Sequence, residues 1–176
     1  MRQDQKMILG YIVGGFIVIV FVPTIIYVIT SFFDLVFKVE IIRNQLIRWI
    51  IIILLLFTGL IYGIWSVVIQ NTIGEGGPLE IGNMEISPKT KNLVVSGPYK
   101  YTRNPMLFGT FLMYLAYALF INSITAVLIV CAIIVFMLTV VVKMEEKRLL
   151  KDFGNQYEEY RKRVSMFIPW FQRKDQ

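Results

Sequence analysis

Two short polar stretches hold the residues best suited to chemistry in an otherwise apolar chain. The first, Leu93 to Gly109 (LVVSGPYKYTRNPMLFG), gathers Gly97, Pro98, Tyr99, Tyr101, Arg103, Asn104 and Pro105. Gly97-Pro98 signals a turn, because proline fixes its own φ and disfavours a helical residue before it. Asn104 followed by Pro105 reads as an N-cap with proline at the first helical position. A helix start exposes unpaired N–H groups and the positive end of the macrodipole, so with Arg103 beside it this segment suits an anion. The second stretch is Glu145-Glu146. Two adjacent carboxylates suit acid–base work, or hydrogen bonds from a ribose diol or an amine. Both stretches also have a plainer reading. Asn-Pro caps and flanking arginines anchor ordinary membrane helices, and a Glu-Glu pair beside Lys143 and Arg148 is commonly a solvated helix start.

Composition narrows the chemistry. There is no histidine, which removes histidine bases, histidine metal ligands and Ser-His or Cys-His catalysis. The only cysteine, Cys131, lies in an apolar run, so no disulfide framework and no thiolate metal site is expected. With 56% hydrophobic and 17% charged residues and a mean hydropathy of +0.64, the chain reads as an integral membrane protein. Its net charge of +6 comes from residues flanking apolar runs, where they set orientation and meet anionic lipid rather than nucleic acid.

The elements that must position the two polar stretches follow from hydropathy. Residues 7–33 are free of charge and long enough to span a bilayer with some tilt, with a kink expected at Pro23. Gly10 with Gly14, and Gly59 with Gly63, are spaced to let helices approach closely. Residues 34–48 form a charged connector with room for an interfacial helix. Residues 49–69 make a second span, and 70–104 a long polar loop carrying Gly74, Gly76, Gly77, Pro78, Gly82 and Pro88. Loops of that length in compact proteins are usually functional or disordered.

A third span at 105–121 and a fourth at 124–142 are separated by little more than Asn122-Ser123, which predicts a tight antiparallel hairpin. The tail, 143–176, continues as helix to a C-cap at Gly154, then as an amphipathic helix at headgroup level bearing Tyr157, Tyr160 and Val164 beside Arg161, Lys162 and Arg163. Pro169, Trp170 and Phe171 supply an aromatic anchor. The fold class is thus all-α: one polytopic domain of four transmembrane helices plus cytoplasmic interfacial helices. With four spans, 15 of the 18 Lys and Arg residues share one side, so both termini, the long loop and the tail are expected in the cytoplasm. Closure of the hairpin brings the two polar stretches face to face.

In that order the parts resemble the membrane methyltransferases related to isoprenylcysteine carboxyl methyltransferase and the phospholipid N-methyltransferases. The matching positions are Leu93, Val94, Gly97, Pro98, Tyr99, Tyr101, Arg103 to Met106, Gly109, Glu145, Glu146, Phe153, Gly154, Tyr157, Tyr160 and Pro169. They cover roughly the C-terminal half. The resemblance implies a bacterial or archaeal cell-membrane enzyme that binds S-adenosylmethionine between the turn segment and the carboxylate pair. Cofactor contacts would come from Leu93, Val94, Gly97, Tyr99, Arg103, Asn104, Pro105, Gly109, Glu145 and Glu146, with Arg103, Glu145 and Glu146 nearest the chemistry. A lipid or prenylated acceptor would arrive from the bilayer side, with Tyr157, Tyr160 and Arg163 as substrate contacts; Arg163 equally suits anionic lipid.

Two departures stand out: Asn104 replaces a histidine found in many members, and Gly74-Glu75-Gly76-Gly77-Pro78 replaces a Gly-x-Gly-Thr-Pro loop. Without histidine, an amine acceptor has Glu145, Glu146, Tyr99 or water to take its proton, whereas a carboxylate acceptor needs no base. Alternative readings are a membrane reductase using a nicotinamide cofactor, for which no separate phosphate-binding motif exists, and a non-catalytic membrane subunit or transporter. A transporter would place polar residues within its spans, and these have almost none. Oligomeric state is not legible in the sequence.

Overall fold

Long runs of Ile, Leu, Val and Phe leave the backbone to satisfy its own polar groups, and in lipid that means helix. The computed structural model describes residues 3–76, 80–81, 84–85 and 90–170, and among these the chain is almost wholly helical. Gly77, Pro78, Gly82, Pro88 and Phe171 lie outside the described residues. Helix α1 (Gln3–Phe16) leads through a π turn (Ile17–Phe21) into α2 (Val22–Phe37), and α3 (Gln45–Thr72) follows. A small antiparallel hairpin, Glu80–Ile81 with Met84–Glu85, sits in the long loop. Then come a 3₁₀ turn (Gly97–Lys100), α4 (Pro105–Ile121), α5 (Ile124–Phe136), a second π turn (Met137–Val141), α6 (Val142–Phe153) and α7 (Asn155–Arg163).

Three continuous helices are long and apolar enough to cross a membrane: Asp4–Phe37, Gln45–Thr72 and Ile124–Phe153. In the last of these the apolar part ends at Val142, and Lys143 to Phe153 is a polar extension. α4 is apolar but shorter, at 17 residues. Large side chains such as Phe32, Phe57 and Leu128 point outward, as lipid-facing residues do. The core lies where α2, α4 and α5 meet, around Ile26, Tyr114, Ala118, Ala126 and Val130.

The irregularity at Pro23 is a π turn on its N-terminal side. The Val22 N–H reaches back to the Ile17 carbonyl. Proline has no N–H to continue that register, which leaves the Val18 carbonyl open. The Tyr114 hydroxyl of α4 fills the gap, donating to it at 3.0 Å. Of the pair Gly59 and Gly63, Gly59 serves close approach, and its partner is Gly109: a Cβ on Gly59 would stand 2.8 Å from the Gly109 oxygen, and one on Gly109 2.7 Å from the Gly59 oxygen and 2.8 Å from the Gly63 nitrogen, whereas a Cβ on Gly63 would meet nothing within 4 Å. α3 and α4 therefore touch backbone to backbone.

The connector holds no interfacial helix. Residues 38–44 are non-helical and clasp the α4–α5 turn instead. Asn122, in the left-handed region at φ 57°, accepts from the Ile41 and Ile42 N–H groups at 3.2 and 3.1 Å. The Ser123 hydroxyl donates to Asp34 at 2.8 Å, and the Ile124 N–H to the Val39 carbonyl at 3.1 Å. Backbone bonded in this way is not free to coil.

Candidate functional site

Because the hairpin turns at Asn122, the start of α4 and the polar extension of α5 return to the same end of the bundle. Between them lies a cavity of about 320 Å³. Its polar wall carries Tyr99, Arg103, Asn104, Glu145, Glu146 and Arg148; its apolar wall reaches Ile17, Val18 and Val22 on the first helix and Ile133, Met137 and Val141 on the fifth. Both π turns border it. A π turn displaces the local backbone by one residue, and such turns occur frequently at functional sites.

Of the residues singled out from sequence, Leu93, Val94, Tyr99, Arg103, Asn104, Pro105, Glu145, Glu146, Tyr157 and Tyr160 line the cavity. Gly97, Gly109 and Arg163 do not. Gly97 sits at φ +59°, where a Cβ would lie 2.9 Å from Ile69, so it serves the turn and its packing on α3. Gly109 is used up against Gly59 and Gly63. Arg163 is 69% exposed beside Glu159, 4.0 Å away.

Arg103 and Glu146 form a closer charge pair than Glu145 and Arg148 do, Nη1 to Oε1 at 2.5 Å, with side-chain exposures of only 9% and 12%. Tyr157, 1% exposed, reaches the same guanidinium. Glu145 faces the cavity with 36% of its side chain open, and Arg148 stands 3.6 Å from it. Burial first, and then the neighbouring Glu146, raise the Glu145 carboxyl to about 7. Burial likewise raises the hydroxyls of Tyr99, Tyr157 and Tyr160, so these stay protonated and act as hydrogen-bond donors rather than bases. Among the described residues no group of three or more potential ligands could hold a metal ion.

The polar segment is held by a strap that sequence reading did not anticipate. Arg103 N–H donates to the Ser165 carbonyl at 2.9 Å and Trp170 N–H to the Tyr101 carbonyl at 3.0 Å. The fully buried Thr102 donates to the Phe167 carbonyl at 2.8 Å. Asn104 occupies the N-cap position, but its side chain makes no cap bond; Nδ2 donates instead to the Met166 carbonyl at 2.8 Å. Phe167 wedges edge-on against Phe108 and Phe111. The tyrosine face of α7 packs on the protein itself: Tyr157 and Tyr160 are buried, and the Tyr160 hydroxyl donates to the Tyr99 carbonyl at 2.7 Å. Arg148 was also missed as a cavity residue. Its signal was available, since it lies three residues after Glu145 and hence on the same helix face.

Architecture and site together are those of an integral membrane protein with a charged, buried cavity at one end of its bundle. The profile of the phospholipid methyltransferase family (PEMT) matches residues 49–156, well over half of the chain and both cavity-forming polar stretches. The chain belongs to that family. A second profile, of proteins of unknown function (DUF1361), matches residues 1–75. Methanethiol S-methyltransferase 1 of Bradyrhizobium diazoefficiens is 30% identical over 90 residues, 51% of this chain and 30% of its own length. Methanethiol S-methyltransferase of Crocosphaera subtropica is 32% identical over 78 residues, 43% of this chain and 29% of its own. The match thus spans less than a third of these relatives.

Proposed function

We propose that the protein crosses the membrane four times, with α4 as the fourth span and both termini in the cytoplasm, and transfers a methyl group from S-adenosylmethionine to a lipid or lipid-modified acceptor at the cytoplasmic face. The observation that carries this reading is the joining of two chemistries in one cavity, charged at the loop end and apolar where it meets the first and fifth helices. The donor fits on charge. Glu145 holds its proton up to about 7 because it is buried next to another carboxylate, and a cationic ligand would offset that surplus. Bound S-adenosylmethionine would supply an already activated methyl group, so the protein's tasks are alignment and exclusion of water.

Leu93, Val94, Tyr99, Pro105 and the Glu145-Glu146 turn would hold the donor. The Arg103–Glu146 pair, itself fixed by the strap, keeps the wall rigid. Glu145 is the group suited to receive a proton from an amine or thiol acceptor, and a carboxylate acceptor needs none. A small thiol is a second reading of the acceptor, favoured by the names of the two relatives and by a cavity at the low end of the usual range for ligand sites.

Calorimetry of the purified protein in detergent should show binding of S-adenosylmethionine and none of a reduced nicotinamide cofactor. Absence of donor binding to folded protein would remove the reading. Incubating membranes with radiolabelled donor, then separating lipid, protein and volatile products, identifies the acceptor.

A further inference from the structure

We propose that the outer side of the strap, formed by Ile168 and Trp170, is a docking surface for anionic phospholipid, and that this contact fastens the segment carrying Arg103. The inner side of the strap is spent on the protein. Its carbonyls at Ser165, Met166 and Phe167 receive the Arg103 N–H, the Asn104 amide and the Thr102 hydroxyl, and the Phe167 ring packs on Phe108 and Phe111. Trp170 is bound through its backbone N–H to Tyr101. The side chains of Ile168 and Trp170 nevertheless stand 67% and 71% exposed. An ordered backbone thus holds out two large apolar groups that the described residues leave uncovered.

Depth in the bilayer identifies the cover. Trp49 and Trp65 are exposed on α3, about 24 Å apart along its axis, close to the thickness of the hydrocarbon core, and tryptophans favour both membrane–water boundaries. Phe167 meets Phe108 with ring centroids 5.7 Å apart, and Phe108 meets Tyr62 of α3 at 5.0 Å. Tyr62 lies within one turn of Trp65, which sets the strap at that boundary. The charge beside it fits headgroups. Arg161, Lys162 and Arg163 end α7 and lead into the strap; Lys100 adjoins Tyr101 at its other end, and all four are exposed. Lys162 and Arg163 have loose, solvent-facing partners at 3.7 and 4.0 Å, and such pairs contribute little. Cations around a tryptophan at this depth match phosphate on one side and acyl chain on the other. The inference is independent of donor and acceptor and rests only on α3 crossing the membrane.

The test places the full chain in nanodiscs of phosphatidylcholine, alone or mixed with phosphatidylglycerol, and uses no methyl donor. Trp170 fluorescence, taken as the difference between wild type and Trp170→Phe, should be quenched by phospholipid brominated near the headgroup end of its acyl chains and hardly by acrylamide. Hydrogen exchange at the Arg103 amide should slow about fivefold to thirtyfold with the anionic lipid, the range that one to two basic residues at such a surface supply. Arg161→Gln with Lys162→Gln should remove the difference between the two lipids. Arg161→Lys with Lys162→Arg should retain it, which separates charge from folding. Quenching by acrylamide and not by bromine would put the strap in water, and quenching by neither would mean a protein cover; either overturns the proposal. Equal Arg103 exchange in both lipids overturns it too, whether or not S-adenosylmethionine binds.

Discussion

Asn104 and Asn122 stand at opposite ends of α4, and each spends its side chain on backbone far away in sequence. Asn122 accepts two N–H groups from the connector, and with Ser123 bound to Asp34 that end of the bundle is closed. Asn104 donates to the strap, and behind it lies a cavity with two charge pairs. The same residue type thus seals one end and builds the other. What differs is the material brought to each. A connector contributing mainly backbone N–H groups can be satisfied by a single side chain, whereas Arg103 meeting Glu145, Glu146 and Arg148 of α6 leaves a carboxylate facing an opening.

The sharpest way to break this contrast is Glu146→Gln. It strands the Arg103 guanidinium in a nearly sealed site and should cost roughly 3–5 kcal/mol, read as a lowered unfolding temperature in detergent together with lost donor binding. A loss as large from Glu145→Gln would erase the distinction between a tight and a loose pair. Next in size is Asn122→Ala, which orphans two N–H groups and should cost about 1–3 kcal/mol, leaving donor affinity intact. Thr102→Val, at the open end, should cost only about 1 kcal/mol yet weaken donor affinity, because it unfastens the segment bearing Arg103. If both variants changed donor affinity alike, the two ends would not be functionally separate.

The smallest expected effect is the dependence on pH. Glu145 titrates near 7, above its ordinary range, so its proton stabilises the ligand-free fold, and that contribution is lost as pH rises through about 7. A cationic donor requires the carboxylate. Its affinity should therefore weaken roughly fourfold between pH 8 and pH 6.5, as a single titrating site dictates, and Glu145→Gln should flatten the profile.

Much of this was legible in the residues. Hydropathy marks the apolar helices, Asn122-Ser123 marks the hairpin, and the hairpin predicts that the two polar stretches meet. Three features were not legible. Whether residues 38–44 would coil depended on an acceptor some 80 residues away. Gly97 and Gly109 carry the motif, but their lack of a side chain serves close packing on α3, a role that motif matching does not separate from ligand contact. Tyr157 and Tyr160 sit at amphipathic spacing that fits a lipid surface as well as a protein one, and contacts with Arg103 and the Tyr99 carbonyl decide between them.

That strap has a consequence for how the molecule is made. Thr102 and Asn104 depend on carbonyls 65 and 62 positions downstream, so on the ribosome they must wait, already folded beside a helix start, for chain that has not yet been synthesised. Insertion into the bilayer can precede competence: a nascent protein with every helix in place would still lack the latch that sets its arginine, and would begin work only once that latch had been translated and docked.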